Sequence, residues 1–249
     1  HFRSYSNFIK KKLGKRKNII EIGSNDGTFL SNFSKKKYNC LGFEPSKNVS
    51  DIAKKKGIKS VNNFFNFQNV KKQKKFINNT NIICASNVIC HIPNLTDLIK
   101  SVHLLLDKNG QFIFEEPYLG SMFKKVSYDQ IYDEHIFMFS ASSVSKTFEL
   151  FGLYLNDAIP QITHGGSMRY VVSKKYSISK RLNRIIKNEK KYKIDKIDAA
   201  LKFKKDCKNS KDLLRKKIFN FKKKGKKICG YGATSKSTTI LNYCKIGPE

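Results

Sequence analysis

Residues 18–30, NIIEIGSNDGTFL, set a short apolar run against a glycine turn and then the beginning of an apolar helical face. Ile19, Ile20 and Ile22, closed by Gly23, read as a buried strand. Gly23 and Gly27 read as the tight turn after it, and Phe29, Leu30 and Phe33 as the start of a helix. A strand that passes into a helix through glycines leaves room for a ligand at the helix N-terminus, where unpaired backbone N–H groups gather.

The same alternation continues along the chain. CLGFEP at 40–45 is a strand ending in Glu44 and Pro45, followed by a lysine-rich helical stretch to Lys56, and Val61 with Phe64 to Phe67 gives a further strand edge and loop. NIICAS at 81–86 is another strand. Leu95, Leu98, Ile99, Val102, Leu105 and Leu106 then form a helix face, and Asn109-Gly110 turns the chain into QFIFEEP at 111–117. Strands alternating with helices predict a parallel sheet covered on both faces.

After Pro117 the rhythm changes. A long connection, 117–140, leads to a helix at Ser142–Phe151, and GLYLNDAIP and SMRYVVSK read as strands joined through QITHGG. A hairpin appended to a parallel sheet predicts a doubly wound, Rossmann-like α/β fold whose last strand is antiparallel, spanning residues 1–176. Residues 177–225 read as a basic helical connector. KKICGYGATSKSTTILNYC, within 226–249, reads as the strand, glycine turn and helix that begin a second Rossmann-like domain, cut short before it can close.

The 249 residues carry 50 Lys+Arg against 19 Asp+Glu, a formal net charge of +31. Such a balance raises nucleic acid or an anionic membrane as partners. The arginines are only Arg3, Arg16, Arg169, Arg181, Arg184 and Arg215, whereas phosphate and base recognition favours the guanidinium fork. The lysines are spread over every predicted helix and loop, as a solvated coat is. The 6 cysteines form no C-x-x-C pair and no zinc-finger spacing, so no metal site is expected here and a reducing cytoplasm fits. No apolar run reaches membrane-spanning length, and no signal peptide is visible.

Glu44 ends its strand about twenty residues after the first turn, where an acidic side chain accepts hydrogen bonds from ribose hydroxyls. The first turn lacks G-x-G-x-x-G, and Asn25 and Asp26 suit an amino-acid moiety better than a pyrophosphate. This favours S-adenosylmethionine over a nicotinamide nucleotide. Asn87, just past the fourth strand, is placed to line the same crevice.

EIGSNDGTFL, LGFEPS, SNVICHI, GQFIFEEPYL, YDEHIFMFSASSV, FGLYLND, HGGSMRY and GYGATSKSTTILNY, in that order, resemble the S-adenosylmethionine-dependent C-methyltransferases that act on nucleotide-linked 4-keto-deoxysugars. The resemblance implies a class I methyltransferase sheet, with Glu21, Gly23, Ser24, Asn25, Gly27, Glu44, Pro45 and Asn87 around the cofactor. It places the catalytic base at His135, with Glu134 and Tyr132 beside it, and His91 as the alternative base or oxyanion-stabilising group. His164, Gly165, Ser167, Ser235 and Lys236 fall to the nucleotide-sugar. Zinc belongs to a cysteine-bearing N-terminal domain of that family, which this sequence lacks. The resemblance implies a small nucleotide-sugar as partner; nucleic acid and membrane are not expected, and a monomer is. The rivals are a methyltransferase acting on RNA or another anionic substrate, and a nucleotide-sugar binding module without turnover.

Overall fold

The computed structural model describes residues 1–248. Helix α1 (Phe2–Leu13) leads into strand β1 (Asn18–Ile22), β2 (Asn39–Phe43), helix α2 (Lys47–Lys55) and β3 (Ser60–Val61). A short helix α3 (Phe67–Lys71), β4 (Thr80–Ser86), α4 (Leu95–Leu105) and the long β5 (Leu106–Pro117) follow. After α5 (Leu119–Lys125) and α6 (Ala141–Glu149) come β6 (Tyr154–Gln161) and β7 (Ser167–Ser173), then helices α7 (Lys180–Lys191), α8 (Ile197–Lys223) and α9 (Ser235–Cys244).

The strands form one 7-stranded sheet of order β3-β2-β1-β4-β5-β7-β6. β1 to β5 pair in parallel, whereas β7 inserts antiparallel between β5 and β6. This is the doubly wound sheet with antiparallel ending that the alternation and the hairpin predicted. The two-residue period of β5 sorts its side chains: Phe112 and Phe114 join the core on one face, and Ile113 joins the core on the other. Phe114 stacks on Phe148 of α6 and Tyr170 of β7, with centroids 5.7 and 4.9 Å away. Burying each such ring contributes roughly 1.5–3 kcal/mol, which fixes α6 against the sheet.

Some expectations change. Helix α1 was not expected, yet Tyr5, Ile9 and Leu13 recur every fourth residue and are buried on the face opposite α6. The expected helix after β1 is only a 3-10 turn at Leu30–Asn32. Ser31 Oγ donates to the Gly27 carbonyl at 2.8 Å and Asn32 Nδ2 to those of Thr28 and Phe29 at 3.1 and 2.9 Å, so side chains take up main-chain acceptors that a helix would use. β5 begins at Leu106, earlier than the predicted 111. The connector is helical, as α7 and α8. KKICGYG is not a strand: residues 226–232 are exposed and have no partner strand among the described residues, and without one an extended segment has no ladder to join. The glycine-rich turn and α9 do form, with Thr234 and Ser237 capping the helix reciprocally.

No helix among the described residues is long and apolar enough to cross a membrane.

Candidate functional site

The parallel strands end at one edge of the sheet, and the polar side chains that the sequence singles out collect there. After β1 the backbone passes through positive φ at Gly23, Asn25 and Gly27 (67, 47 and 76°). A Cβ on Gly23 would stand 2.8 Å from Val88 Cγ2, so the turn after β4 presses directly on the loop after β1. Asn87, at φ 53°, opens that second turn and donates its N–H to the Glu115 carbonyl at 2.8 Å.

Glu44 is buried at the end of β2. Its Oε2 accepts the N–H of Asn25 at 3.0 Å and its Oε1 that of Ser46 at 2.9 Å. It therefore ties the β1 loop to the β2 turn, and Pro45 lies exposed beside it. Glu21 Oε2, Ser24 Oγ and Asn87 Oδ1 are buried without a hydrogen-bond partner among the described residues. Such orphaned polar atoms suit a ligand carrying many donors and acceptors. Burial, reinforced by Asp26 and Glu44, holds the Glu21 carboxyl well above the ordinary carboxylate range. Asp26 instead pairs with Lys56 at 2.5 Å, which holds its carboxyl down to about 2.

A second group of side chains lies around the turns after β4 and β5. His91 closes the 3-10 turn Ile89–His91, and its Nδ1 donates to the Glu134 carbonyl at 2.8 Å. His135 Nδ1 donates to the Gln130 carbonyl at 2.8 Å. A carbonyl can only accept, so each Nδ1 carries the hydrogen and Nε2 is the ring's lone-pair nitrogen when neutral. At His135 that lone pair takes the Tyr132 hydroxyl at 2.8 Å, while His91 Nε2 has no protein hydrogen bond among the described residues. The rings stand 5.0 Å apart, centroid to centroid. Burial lowers the His135 pKa below the ordinary histidine value; the Gln130 carbonyl opposes this, and His91 and Lys236 reinforce it. The shift favours the neutral imidazole, whose Nε2 lone pair can accept a proton.

Glu134 meets the expectation differently. Its side chain is exposed, and its backbone carbonyl is the group that orients a ring, that of His91 rather than His135. Cys90 Sγ and a ring nitrogen of each of His91 and His135 lie within 4.8 Å of one another. Burial pushes the Cys90 thiol far above its ordinary range, and each Nδ1 is already bonded to a carbonyl.

The β6–β7 turn and α9 meet the same neighbourhood. His164, in left-handed conformation at φ 51°, presents Nδ1 3.5 Å from Lys236 Nζ at the start of α9. Gly165 also needs positive φ, at 77°, and lies 3.5 Å from Ser127 Oγ when a Cβ is placed on it. Ser167 is buried, and its hydroxyl donates to the Thr163 carbonyl at 3.1 Å, within the turn itself. Ser235 is exposed beside Lys236.

Sequence reasoning missed several residues of this arrangement. Gln130, buried, accepts from His135 through its carbonyl and donates from Nε2 to the His164 carbonyl at 2.8 Å, so it joins the base candidate to the hairpin turn. Arg169 is buried, with Nε 2.6 Å from Glu115 Oε1 and its guanidinium 4.5 and 4.6 Å from the ring centroids of Tyr5 and Phe8. Glu116 is wholly buried beneath the turn after β4. The only available signal was the pair Glu115-Glu116 at the end of an apolar strand, where successive side chains must enter opposite cores. A 490 Å³ cavity lined by Tyr118, Phe123, Tyr192 and Phe203 lies between α5 and the α7–α8 connector and includes none of the predicted site residues.

A family described as "Methyltransferase domain" matches residues 2–157, and one described as "C-methyltransferase C-terminal domain" matches residues 162–249. C-methyltransferase NovU of Streptomyces niveus is 24% identical over 234 residues, which are 93% of this chain; the chain spans 56% of that enzyme's length. Among solved structures, the YcgJ protein of Bacillus subtilis superposes with TM-score 0.52 at 13% identity, covering 71% of this chain and 100% of its own. A SAM-dependent methyltransferase of Aquifex aeolicus superposes with TM-score 0.50 at 10% identity, covering 67% of this chain and 87% of its own.

Proposed function

Because the chain belongs to the methyltransferase-domain family, we propose that it transfers a methyl group from S-adenosylmethionine to the carbon next to the ketone of a nucleotide-diphosphate 4-keto-deoxysugar. Support for the cofactor comes from the orphaned Glu21, Ser24 and Asn87 atoms at the strand ends, which fit a ligand of that polarity. Gly23, Asn25 and Gly27 would line its amino-acid end and Glu44 its ribose. When bound, S-adenosylmethionine supplies an electrophilic methyl group on a sulfonium.

The observation that carries the chemistry is the pair of neighbouring imidazoles, each pinned through Nδ1 to a backbone carbonyl with Nε2 as its basic atom. A C–H next to a ketone is weakly acidic, and a positioned neutral histidine is suited to remove it. The C–H bond breaks, the proton goes to Nε2 of His135, and the electron pair moves toward the ketone oxygen as an enolate, whose carbon is then nucleophilic. Tyr132, hydrogen-bonded to His135 Nε2 before substrate arrives, gives up that bond and donates to the developing oxyanion. His91, whose Nε2 is unengaged, is the second base candidate. Lys236 and Ser235 at the start of α9, with His164 and Gly165, would take the anionic diphosphate, a role suited to a helix N-terminus carrying a cation.

Incubation with a nucleoside-diphosphate 4-keto-deoxysugar in deuterium oxide, without S-adenosylmethionine, tests the base. Deuterium should wash in at the carbon next to the ketone, and His135→Ala should slow it by about 10²–10⁴-fold. Persistence of wash-in at the wild-type rate in both His135→Ala and His91→Ala sinks the enolate reading.

A further inference from the structure

Glu116 continues the row Phe112, Phe114 on one face of β5, so strand periodicity sends a carboxyl into an aromatic core. Its residue is 0% exposed. Oε1 accepts the N–H groups of Val88 and Ile89 at 3.0 and 2.7 Å, the first donors of the turn that ends in His91. Oε2 has no partner. A buried carboxyl with one oxygen orphaned is a costly way to close a turn.

The turn it holds is the junction of the site. Val88 abuts Gly23 of the cofactor loop. The Cys90 carbonyl accepts the Ile136 N–H at 2.9 Å, and His91 Nδ1 bonds the Glu134 carbonyl at 2.8 Å, so the turn and the 130–137 loop are tied on both sides of His135. Each link depends on where residues 88–91 stand.

We propose that Glu116 is a positioning residue: by gripping the Val88 and Ile89 amides from beneath, it sets the placement of the His91 and His135 rings relative to each other and to the cofactor loop. It touches neither substrate nor cofactor and acts through the turn. The proposal builds on the reading of these rings as the proton-handling groups, but the ring geometry is observable whether or not they perform that chemistry.

The test compares the full 249-residue chain with its Glu116→Ala and Glu116→Gln variants. The histidine rings are followed by long-range 1H–15N correlation spectra, and turnover is measured with S-adenosylmethionine and a nucleoside-diphosphate 4-keto-deoxysugar. Glu116→Ala should move the His91 ring signals away from the pure Nδ1–H tautomer and lower kcat on the order of 10²-fold, as a misplacement of about 1 Å does. KM should stay within about threefold, since uniform binding is untouched. Glu116→Gln, whose amide oxygen accepts the same two N–H groups, should restore both the ring signals and most of kcat. Unchanged ring signals and kcat in a folded Glu116→Ala overturn the proposal, as do equal kcat losses in both variants with the ring signals unmoved. Ring signals that shift while turnover holds uphold the positioning and count against the imidazoles as the base. If Glu116→Ala does not melt cooperatively, Glu116→Asp, one methylene shorter, makes the same comparison: displaced ring signals with lowered kcat support the role, and wild-type values of both overturn it.

Discussion

Glu189 of α7 reaches across to the start of α6 and spends both carboxylate oxygens there. Oε1 accepts the Tyr118 hydroxyl at 2.9 Å and the Ala141 N–H at 2.7 Å; Oε2 accepts the Ser142 N–H at 2.8 Å and the Ser142 hydroxyl at 2.5 Å. The side chain is buried, so these bonds face little competition from water. Glu189→Ala uncovers two amides at a helix N-terminus, a loss of about 1–2 kcal/mol by comparison with other caps. It also strands the Tyr118 hydroxyl in a largely apolar setting, at about 1–3 kcal/mol. Together these put the destabilisation on the order of 3 kcal/mol, which in a chain of this length lowers Tm by about 6–12 °C. Glu189→Gln keeps one acceptor but turns an NH2 group toward donors, and should fall between the two. Differential scanning calorimetry gives Tm, and amide hydrogen exchange at Ala141 and Ser142 locates the loss. A Glu189→Ala melting within about 2 °C of wild type, or exchange at those amides unchanged, refutes the assignment of α7 as the clasp on α6.

Three further outcomes follow from the site. Burial lifts the Glu116 carboxyl from 4.5 to about 7, so the folded chain holds that proton more tightly than the unfolded one. Its contribution to stability is full below about pH 4.5 and is lost as pH rises through 7, on the order of 3 kcal/mol; urea titrations at pH 5 and 8 should show a drop in wild type that Glu116→Gln lacks. Lys236 is one of the charges that depress the His135 pKa, so Lys236→Ala should let that pKa rise toward 6.5, read by NMR titration of the ring; a downward move or none contradicts that electrostatic coupling. Gly23→Ala places a methyl 2.8 Å from Val88 at a φ of 67° and should weaken S-adenosylhomocysteine binding more than about tenfold by calorimetry, with wild-type affinity as the contrary result.

Where a local pattern determined the outcome, the sequence was sufficient. Ile19, Ile20 and Ile22, the 81–86 run and Phe112 to Phe114 form continuous apolar segments because both faces of a parallel sheet are covered, and they became β1, β4 and β5. The hairpin was visible through the glycines at 165 and 166. The 3-10 turn after β1 was not, because Ser31 and Asn32 break the helix through side-chain bonds that periodicity ignores. At the site, Tyr132, His135 and His91 were legible as proton-handling types, and the structure brings them together. Which carbonyl pins which ring was not legible, since His91 reaches over forty residues to Glu134. Gln130, Glu116 and Glu189 escaped for the same reason: each matters through partners distant in sequence.

The placement of β7 between β5 and β6 also constrains how the polypeptide is made. A ribosome releases the first five strands in order, each able to dock as it emerges, but the outer edge of β5 stays bare until Ser167–Ser173 has been synthesised. β6 cannot cover it, because among the described residues β6 pairs only with β7. Between Pro117 and Ser173 translation at typical speed takes roughly 3–11 s. For that interval the nascent chain displays the unpaired outer edge of a strand that carries Phe112 and Phe114, so this stage of biogenesis is when it most needs protection from neighbouring chains.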